Sequence, residues 1–270
     1  MNGSGNFVIG WDSPGDGSLL GVFSRRGEFH AAHSAAVDAH PSGGTSNVNG
    51  VLEAGETVQV EPAWQNTLVA FWTFTGLAQD FGGPPGPSYT VVDDTAEYGT
   101  IPSGATADCF SASGDCYVLT VSGTRPAPHW DASFTESLAD PFNASKVWSL
   151  HVGESFSDAP TSHPFYAYIE NLFHNGVTGG CAAFAYCPDS SVTRAQMAVF
   201  LLKSEHGATF VPPACAGAFP DVPCPSQFAD WIEQLAAEGI TGGCGGGNYC
   251  PGNANTRGQM AVFLKKAFGL

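Results

Sequence analysis

The chain has 270 residues, 9 basic against 25 acidic side chains, a formal net charge of −16, and only 13% of its positions charged. Such a surface has no basic patch for nucleic acid, which it excludes as a partner; it suits solubility outside the cell and divalent cations. The length admits two or three domains, and no apolar run approaches the ~20 residues that span a bilayer, so no membrane insertion is expected. The acidic excess is lopsided: residues 1–145 hold 3 basic and 16 acidic groups, residues 146–270 hold 6 and 9.

In chain order, residues 1–27 pair two short apolar runs, Phe7–Trp11 and Leu19–Phe23, across a Pro/Gly turn, which predicts a β-hairpin. The pattern resembles one blade-type repeat of bacterial extracellular β-propeller-like proteins. Residues 28–45 carry His30, His33 and His40 among small residues. Three histidines could hold zinc, but no periodicity fixes their spacing, so a polar linker is the expectation. From 47 to 122, the β-rich runs Thr57–Val60, Leu68–Phe74, Tyr89–Val92 and Tyr117–Val121 alternate with Gly/Pro turns. Short strands with regular turns predict an all-β sandwich over 28–150. Its opening, Asn49–Val60, resembles that of immunoglobulin-like domains in bacterial secreted proteins.

That opening also has the spacing of a calcium loop. With Gly50 as the turn glycine, Asn47, Asn49, Glu53 and Glu56 fall at oxygen-ligand positions three, five, nine and twelve, while Thr45 stands at position one in place of the usual Asp. Calcium is therefore an expected cofactor, set against a plain polar turn. Further on, His129 and Asp131 flank Trp130, a pairing that could serve acid–base chemistry. No nucleophile motif and no His-Glu-x-x-His accompanies it, so this stretch reads as the closing edge of the domain, with Trp130 and Trp148 as packing residues. Asn143-Ala144-Ser145 matches a glycosylation sequon.

The C-terminal part is a duplication. Residues 156–203 and 219–266 align without a gap at an offset of 63 residues, pairing Asp158 with Asp221, Cys181 with Cys244, Cys187 with Cys250 and Arg194 with Arg257. In the first copy Phe165, Ile169, Leu172 and Phe173 form one helical face that Gly176 stops; Phe228, Ile232, Leu235 and Gly239 repeat it. Thr193-x-x-Gln196 and Thr256-x-x-Gln259 are capping boxes that open a second helix with its own apolar face. Each unit reads as a helix–loop–helix hairpin that must pack on a neighbour to bury its faces. Residues 204–218 form the link, stiffened by Pro212-Pro213.

Eight cysteines fall in four near pairs, Cys109/Cys116, Cys181/Cys187, Cys215/Cys224 and Cys244/Cys250. The even count and short spacings predict four local disulfides in an oxidising compartment; these spacings are not those of zinc ligands. No signal peptide is visible, which leads to the expectation that residue 1 is not the natural precursor start.

The repeated elements are Phe156-Ser157-Asp158, Gly176-Val177-Thr178-Gly179-Gly180, Pro188 and Val192-Thr193-Arg194-Ala195-Gln196, matched by Phe219-Pro220-Asp221, Gly239-Ile240-Thr241-Gly242-Gly243, Pro251 and Thr256-Arg257-Gly258-Gln259. In this order they resemble the S-layer homology (SLH) module. The resemblance implies two all-α SLH helical-hairpin modules, over 151–207 and 208–270, after the immunoglobulin-like sandwich. It departs from the family in having two modules where three are usual, and in its loop cysteines. It implies a secreted, non-enzymatic cell-surface protein whose partner is a cell-wall or surface polysaccharide. It also implies a glycan-binding set of Asp158, Thr193 and Arg194 with Asp221, Thr256 and Arg257. The two arginines are expected at helix N-termini, beside free backbone N–H groups and near grooves rather than in the core. Two alternatives stand beside anchoring: a subunit of a self-assembling filament or tube, whose partners are copies of itself, and the accessory C-terminal region of a larger secreted enzyme.

Overall fold

The computed structural model describes residues 30–42, 45–139 and 144–268, with His30 placed by its backbone alone. The hairpin expected in residues 1–27 and the sequon asparagine lie outside the described residues. The chain divides into two compact units. One runs up to His174 and includes Ala183–Ala185; the other comprises Asn175–Ala182 and Tyr186 onward.

The first unit is two antiparallel sheets around one core. One sheet orders β1 (His30–Val37), β2 (Thr57–Asn66), β7 (Tyr117–Ser122) and β4 (Ser88–Asp93), with β6 (Thr106–Asp108) also on β2. The other orders β5 (Thr95–Ile101), β3 (Trp72–Gly82), β8 (Asp131–Leu138) and β9 (Ser145–His151). Val58, Trp64, Leu119 and Val121 from the first sheet meet Phe74, Tyr98, Phe134 and Trp148 from the second in one buried cluster. The His-rich stretch expected as a linker is β1 instead. Its alanines have little β-propensity, and pairing along almost the whole of β2, with a bulge at His33, makes it a strand. A four-residue helix α1 (Cys109–Ala112) is capped by Asp108, which accepts from the Ser111 amide.

At the centre lies a carboxylate. Glu136 on β8 is fully buried; its Oε1 accepts from the Tyr98 and Tyr117 hydroxyls and its Oε2 from the indole N–H groups of Trp64, at 3.0 Å, and Trp148, at 2.6 Å. Burial pushes its carboxyl up and the four donors pull it down, with burial prevailing.

Helix α2 (Tyr166–His174) belongs to this unit and packs against β9. Its inward face mixes Ile169 and Phe173 with Tyr166 and Glu170. The Tyr166 hydroxyl donates to Glu53 at 2.7 Å and accepts from the Glu154 amide at 2.8 Å.

The second unit is built on α3 (Arg194–His206), α4 (Ala229–Ala237) and α5 (Arg257–Phe268). α3 packs on both α4 and α5, joining Ala198, Leu201 and Leu202 to Ile232, Leu235 and Phe263 in a second core. The 204–218 link is tied down: Glu233 of α4 accepts from the Ala216, Gly217 and Ala218 amides at 2.6–2.9 Å, and Asp230 from the Cys215 amide at 2.9 Å. Four disulfides join the nearest cysteines, Cys109–Cys116, Cys181–Cys187, Cys215–Cys224 and Cys244–Cys250. The duplication also shows in the backbone. Gly176 and Gly239, at the helix stops, have φ of 65° and 74°; Cys187 and Cys250 have 61° and 62°.

The expected fold class is corrected here. The described chain is mostly antiparallel β-sheet with few helices, and two all-α hairpin modules do not form. The reason lies on the inward face of α2. Tyr166 and Glu170 need polar partners, and the β-unit supplies them from Glu53, Ser155 and His151. α3 meanwhile finds its apolar partners on α4 and α5.

Candidate functional site

Of the expected glycan-binding residues, Thr193, Arg194, Thr256 and Arg257 lie at the starts of α3 and α5. Both capping boxes form. Thr193 and Gln196 exchange hydrogen bonds at 3.3 and 3.0 Å, and Thr256 and Gln259 do so at 3.2 and 3.1 Å. Beyond that the two starts differ.

At α3 the loop of the second repeat lies over the helix end. The Arg194 amide donates to the Asn253 carbonyl at 2.8 Å and the Ala195 amide to the Pro251 carbonyl at 3.0 Å. The orphan donors expected to receive an anion are thus consumed. Arg194 is 3% exposed, not at the edge of a groove as expected. Its Nε donates to the Tyr249 carbonyl at 2.8 Å, and its guanidinium lies 4.8 Å from the Tyr249 ring and 5.4 Å from that of Phe263. The Tyr249 hydroxyl donates in turn to the Arg194 carbonyl at 2.8 Å. Asp221 holds the loop from outside, accepting from the Tyr249 and Cys250 amides at 2.8 and 2.7 Å, and those bonds keep its carboxyl below the ordinary range. Arg194, Thr193 and Asp221 therefore belong to one packed junction between repeats.

At α5 no loop of the described chain takes that place. Thr256 and Arg257 are exposed, and the Arg257 guanidinium has no hydrogen-bond or ion-pair partner among the described residues. Val262 and Leu264 on the same helix are 53% and 38% exposed. Asp158, the counterpart of Asp221, is exposed in the first unit.

The expected calcium residues do come together, as a closed brace. The Asn47 and Asn49 side-chain amides donate to Glu53 Oε2 and Oε1, each at 2.9 Å, and the Asn47 backbone amide donates to Glu56 Oε1 at 2.7 Å. Thr45, proposed for position one, instead accepts from the Thr57 amide at 2.8 Å. Burial, followed by the neighbouring Glu53, pushes the Glu56 carboxyl up to about 8.

Of the histidines considered for zinc, His33 is exposed in the β1 bulge, while His40 bonds Glu61 at 2.7 Å and stacks on Phe110. A different set converges. His129 Nε2 stands 2.9 Å from Asp131 Oδ2, and His151 Nδ1 and His174 Nδ1 stand 3.0 and 3.1 Å from Asp131 Oδ1. The sequence reading reached His129 and Asp131 but not His151 and His174. The local signal is the alternation His-Trp-Asp, which turns Trp130 into the core and both polar neighbours outward. The rest needs the strand register that sets Asp131 opposite His151 and a helix that ends at His174.

Comparison with known proteins singles out one segment. Residues 155–198 match the S-layer homology domain. This SLH segment covers the first repeat through the start of α3. The search of curated proteins found no match. A FixG-related protein from Vibrio parahaemolyticus is similar over 46% of this chain and 95% of its own, at 9% identity and a TM-score of 0.26, too low to carry an argument. The SLH segment supports surface anchoring in general and implies a cell-surface location. No helix among the described residues is long and apolar enough to cross a membrane.

Proposed function

We propose that the protein is a secreted, non-enzymatic surface protein held on a cell-wall polysaccharide through its SLH region, with the exposed start of α5 as the glycan contact. The match at residues 155–198 carries this reading. The contrast between the two repeats refines it: Arg194 is spent inside the junction, whereas Arg257 is exposed and without a partner among the described residues, beside the exposed Thr256 that caps α5. A guanidinium beside unpaired N–H groups suits a carboxylate or pyruvyl substituent on a sugar. The experiment is co-sedimentation with isolated cell-wall polysaccharide. Arg257→Ala is expected to weaken pelleting about 10-fold or more while shifting stability by no more than ~0.5 kcal/mol. Pelleting that survives Arg257→Ala removes α5 as the contact; wild-type protein that never pellets removes the anchoring reading.

A second reading has its own observation. The loop that covers α3 carries Tyr249-Cys250-Pro251, and the first repeat carries Tyr186-Cys187-Pro188. That loop from a second copy could cover α5 head to tail, and such a heterologous contact, where its rotation does not close into a ring, runs on into an open filament. Sedimentation that grows with protein concentration, without polysaccharide, separates this filament reading from anchoring. Weak calcium binding at Asn47, Asn49, Glu53 and Glu56 is a separate proposal, since a cation would have to turn two amides and displace a proton from Glu56. Calorimetric heat on adding calcium, abolished by Glu56→Gln, is its check. The immunoglobulin-like character of the β-unit is likewise proposed, on the resemblance of Asn49–Val60.

A further inference from the structure

We propose that His129, Asp131, His151 and His174 form a structural binding site for a tetrahedral divalent transition metal, Zn2+ above all. Their four ligand atoms lie within 4.8 Å of one another. Ligands at 2.0–2.1 Å from a tetrahedral ion would stand about 3.3 Å apart, so small side-chain adjustments admit the ion. Three imidazole rings crowd together, with centroids 5.3, 5.3 and 6.2 Å apart, and share the two oxygens of one carboxylate. As hydrogen bonding this gives three rings one acceptor group; as coordination it lets each ring offer one nitrogen lone pair to a shared ion.

The surroundings are those of a metal site. His151 turns its other nitrogen, Nε2, to Glu170 Oε2 at 2.8 Å, and the Glu170 side chain is 1% exposed and held by the Ser155 amide at 2.8 Å. A buried carboxylate behind a ligating histidine fixes its tautomer and orientation. Phe173 packs tilted and edge-on against the rings of His129 and His151, with centroids 4.9 and 5.9 Å apart, an apolar neighbour that limits water. The side chains of His151 and His174 are 8% and 14% exposed, while those of Asp131 and His129 are 33% and 41% exposed and leave an entry path. Imidazole and carboxylate select zinc-like ions over calcium or magnesium, and all eight cysteines are tied up in disulfides, so no thiolate competes. Four protein ligands close the shell, which marks a structural rather than a catalytic ion. The ligands come from the approach to β8, from β8, from the end of β9 and from the end of α2, so the ion would staple the first helix of the SLH segment to the sheet that carries it.

The test uses the full chain, purified without a polyhistidine tag, stripped with chelator and titrated with Zn2+. One ion per chain and a raised melting temperature are expected. Co2+ in its place should give the intense visible bands of a tetrahedral ion. His174→Ala and His129→Ala should lose stoichiometric binding, and Glu170→Gln should weaken it about 10- to 100-fold. His206→Ala, in the cluster of Glu205, His206 and Glu238, should bind like wild type. His129 is the most exposed ligand, so a folded His129→Ala protein, verified by circular dichroism, keeps the test decisive if another variant unfolds. No ion on the folded wild type, an ion retained by folded His129→Ala, an octahedral Co2+ spectrum, or loss of the ion in His206→Ala would each overturn the site.

Discussion

Two glutamates show how single residues set this molecule apart from a generic β-protein. Glu136 satisfies four buried donors at once, so truncation strands all of them. A stranded buried donor costs on the order of 1–3 kcal/mol, and Glu136→Ala is expected to destabilise the chain by more than about 4 kcal/mol in urea unfolding. Glu136→Gln keeps one acceptor oxygen but turns an NH2 group toward two donors, and should fall between the two. The same residue explains why β8 was not read from the sequence. Its pattern, Ala132, Phe134, Glu136, Leu138, alternates inward as a strand should, but a carboxylate at an inward position breaks the apolar signal. Glu56 makes a pH-dependent contribution. Folded, it keeps its proton to about pH 8; unfolded, it releases it near the ordinary 4.5. Between these values folding takes up a proton, so stability falls as pH rises through the window. Its contribution is full below the lower value and lost above the upper one. Denaturation across that range should show the decline, and Glu56→Gln should flatten it; an unchanged slope in the variant would place the decline elsewhere.

At the scale of elements, what was legible was what the chain does to itself within a few residues. Gly176 and Gly239 stop helices because only glycine takes their left-handed backbone without strain. The Thr-x-x-Gln boxes start α3 and α5, and cysteines six to nine residues apart find each other. What was not legible was the choice of neighbour. An amphipathic face says that a helix needs a partner, not which one. The sequence puts Phe165, Ile169, Leu172 and Phe173 on the inward face; in the structure Phe165 precedes α2 and is exposed, Leu172 is half-buried, and Tyr166 and Glu170 join Ile169 and Phe173 to place the helix on the β-unit. The His-rich stretch became a strand because β2 needed pairing on that side, which its own composition does not announce. The histidine–aspartate cluster was hidden for the same reason. Its members lie at 129, 131, 151 and 174, a spacing with no motif, and only strand register and a helix end bring them together. Arg194 and Arg257 share the motif Thr-Arg-x-Gln-Met and stand in opposite environments, since the loop of the second repeat covers Arg194 and no loop among the described residues covers Arg257.

At the scale of the whole molecule, the two units are held by different means. The β-unit gathers a large buried core around Trp64, Tyr98, Phe134 and Trp148 and contains one disulfide, Cys109–Cys116. The helical unit has a smaller core, drawn mainly from three helices, and contains three disulfides: Cys181–Cys187, Cys215–Cys224 and Cys244–Cys250. Small domains that bury little apolar surface depend on such cross-links. Loops separated by 6 to 9 residues each contribute about 2–3 kcal/mol by restricting the unfolded chain. Three of them are comparable with the 5–15 kcal/mol that typically holds a whole domain; one is not. Reduction should therefore unfold the helical unit while the β-unit survives. Calorimetry of the full chain is expected to lose one transition on adding reductant and to keep the other at a moderately lower temperature. Hydrogen exchange assigns the transitions: amides of Leu202, Ile232 and Phe263 should lose protection, while those of Leu119 and Phe134 keep it. Equal loss across both sets would mean that the units fold as one and that the disulfides do not divide the labour between them.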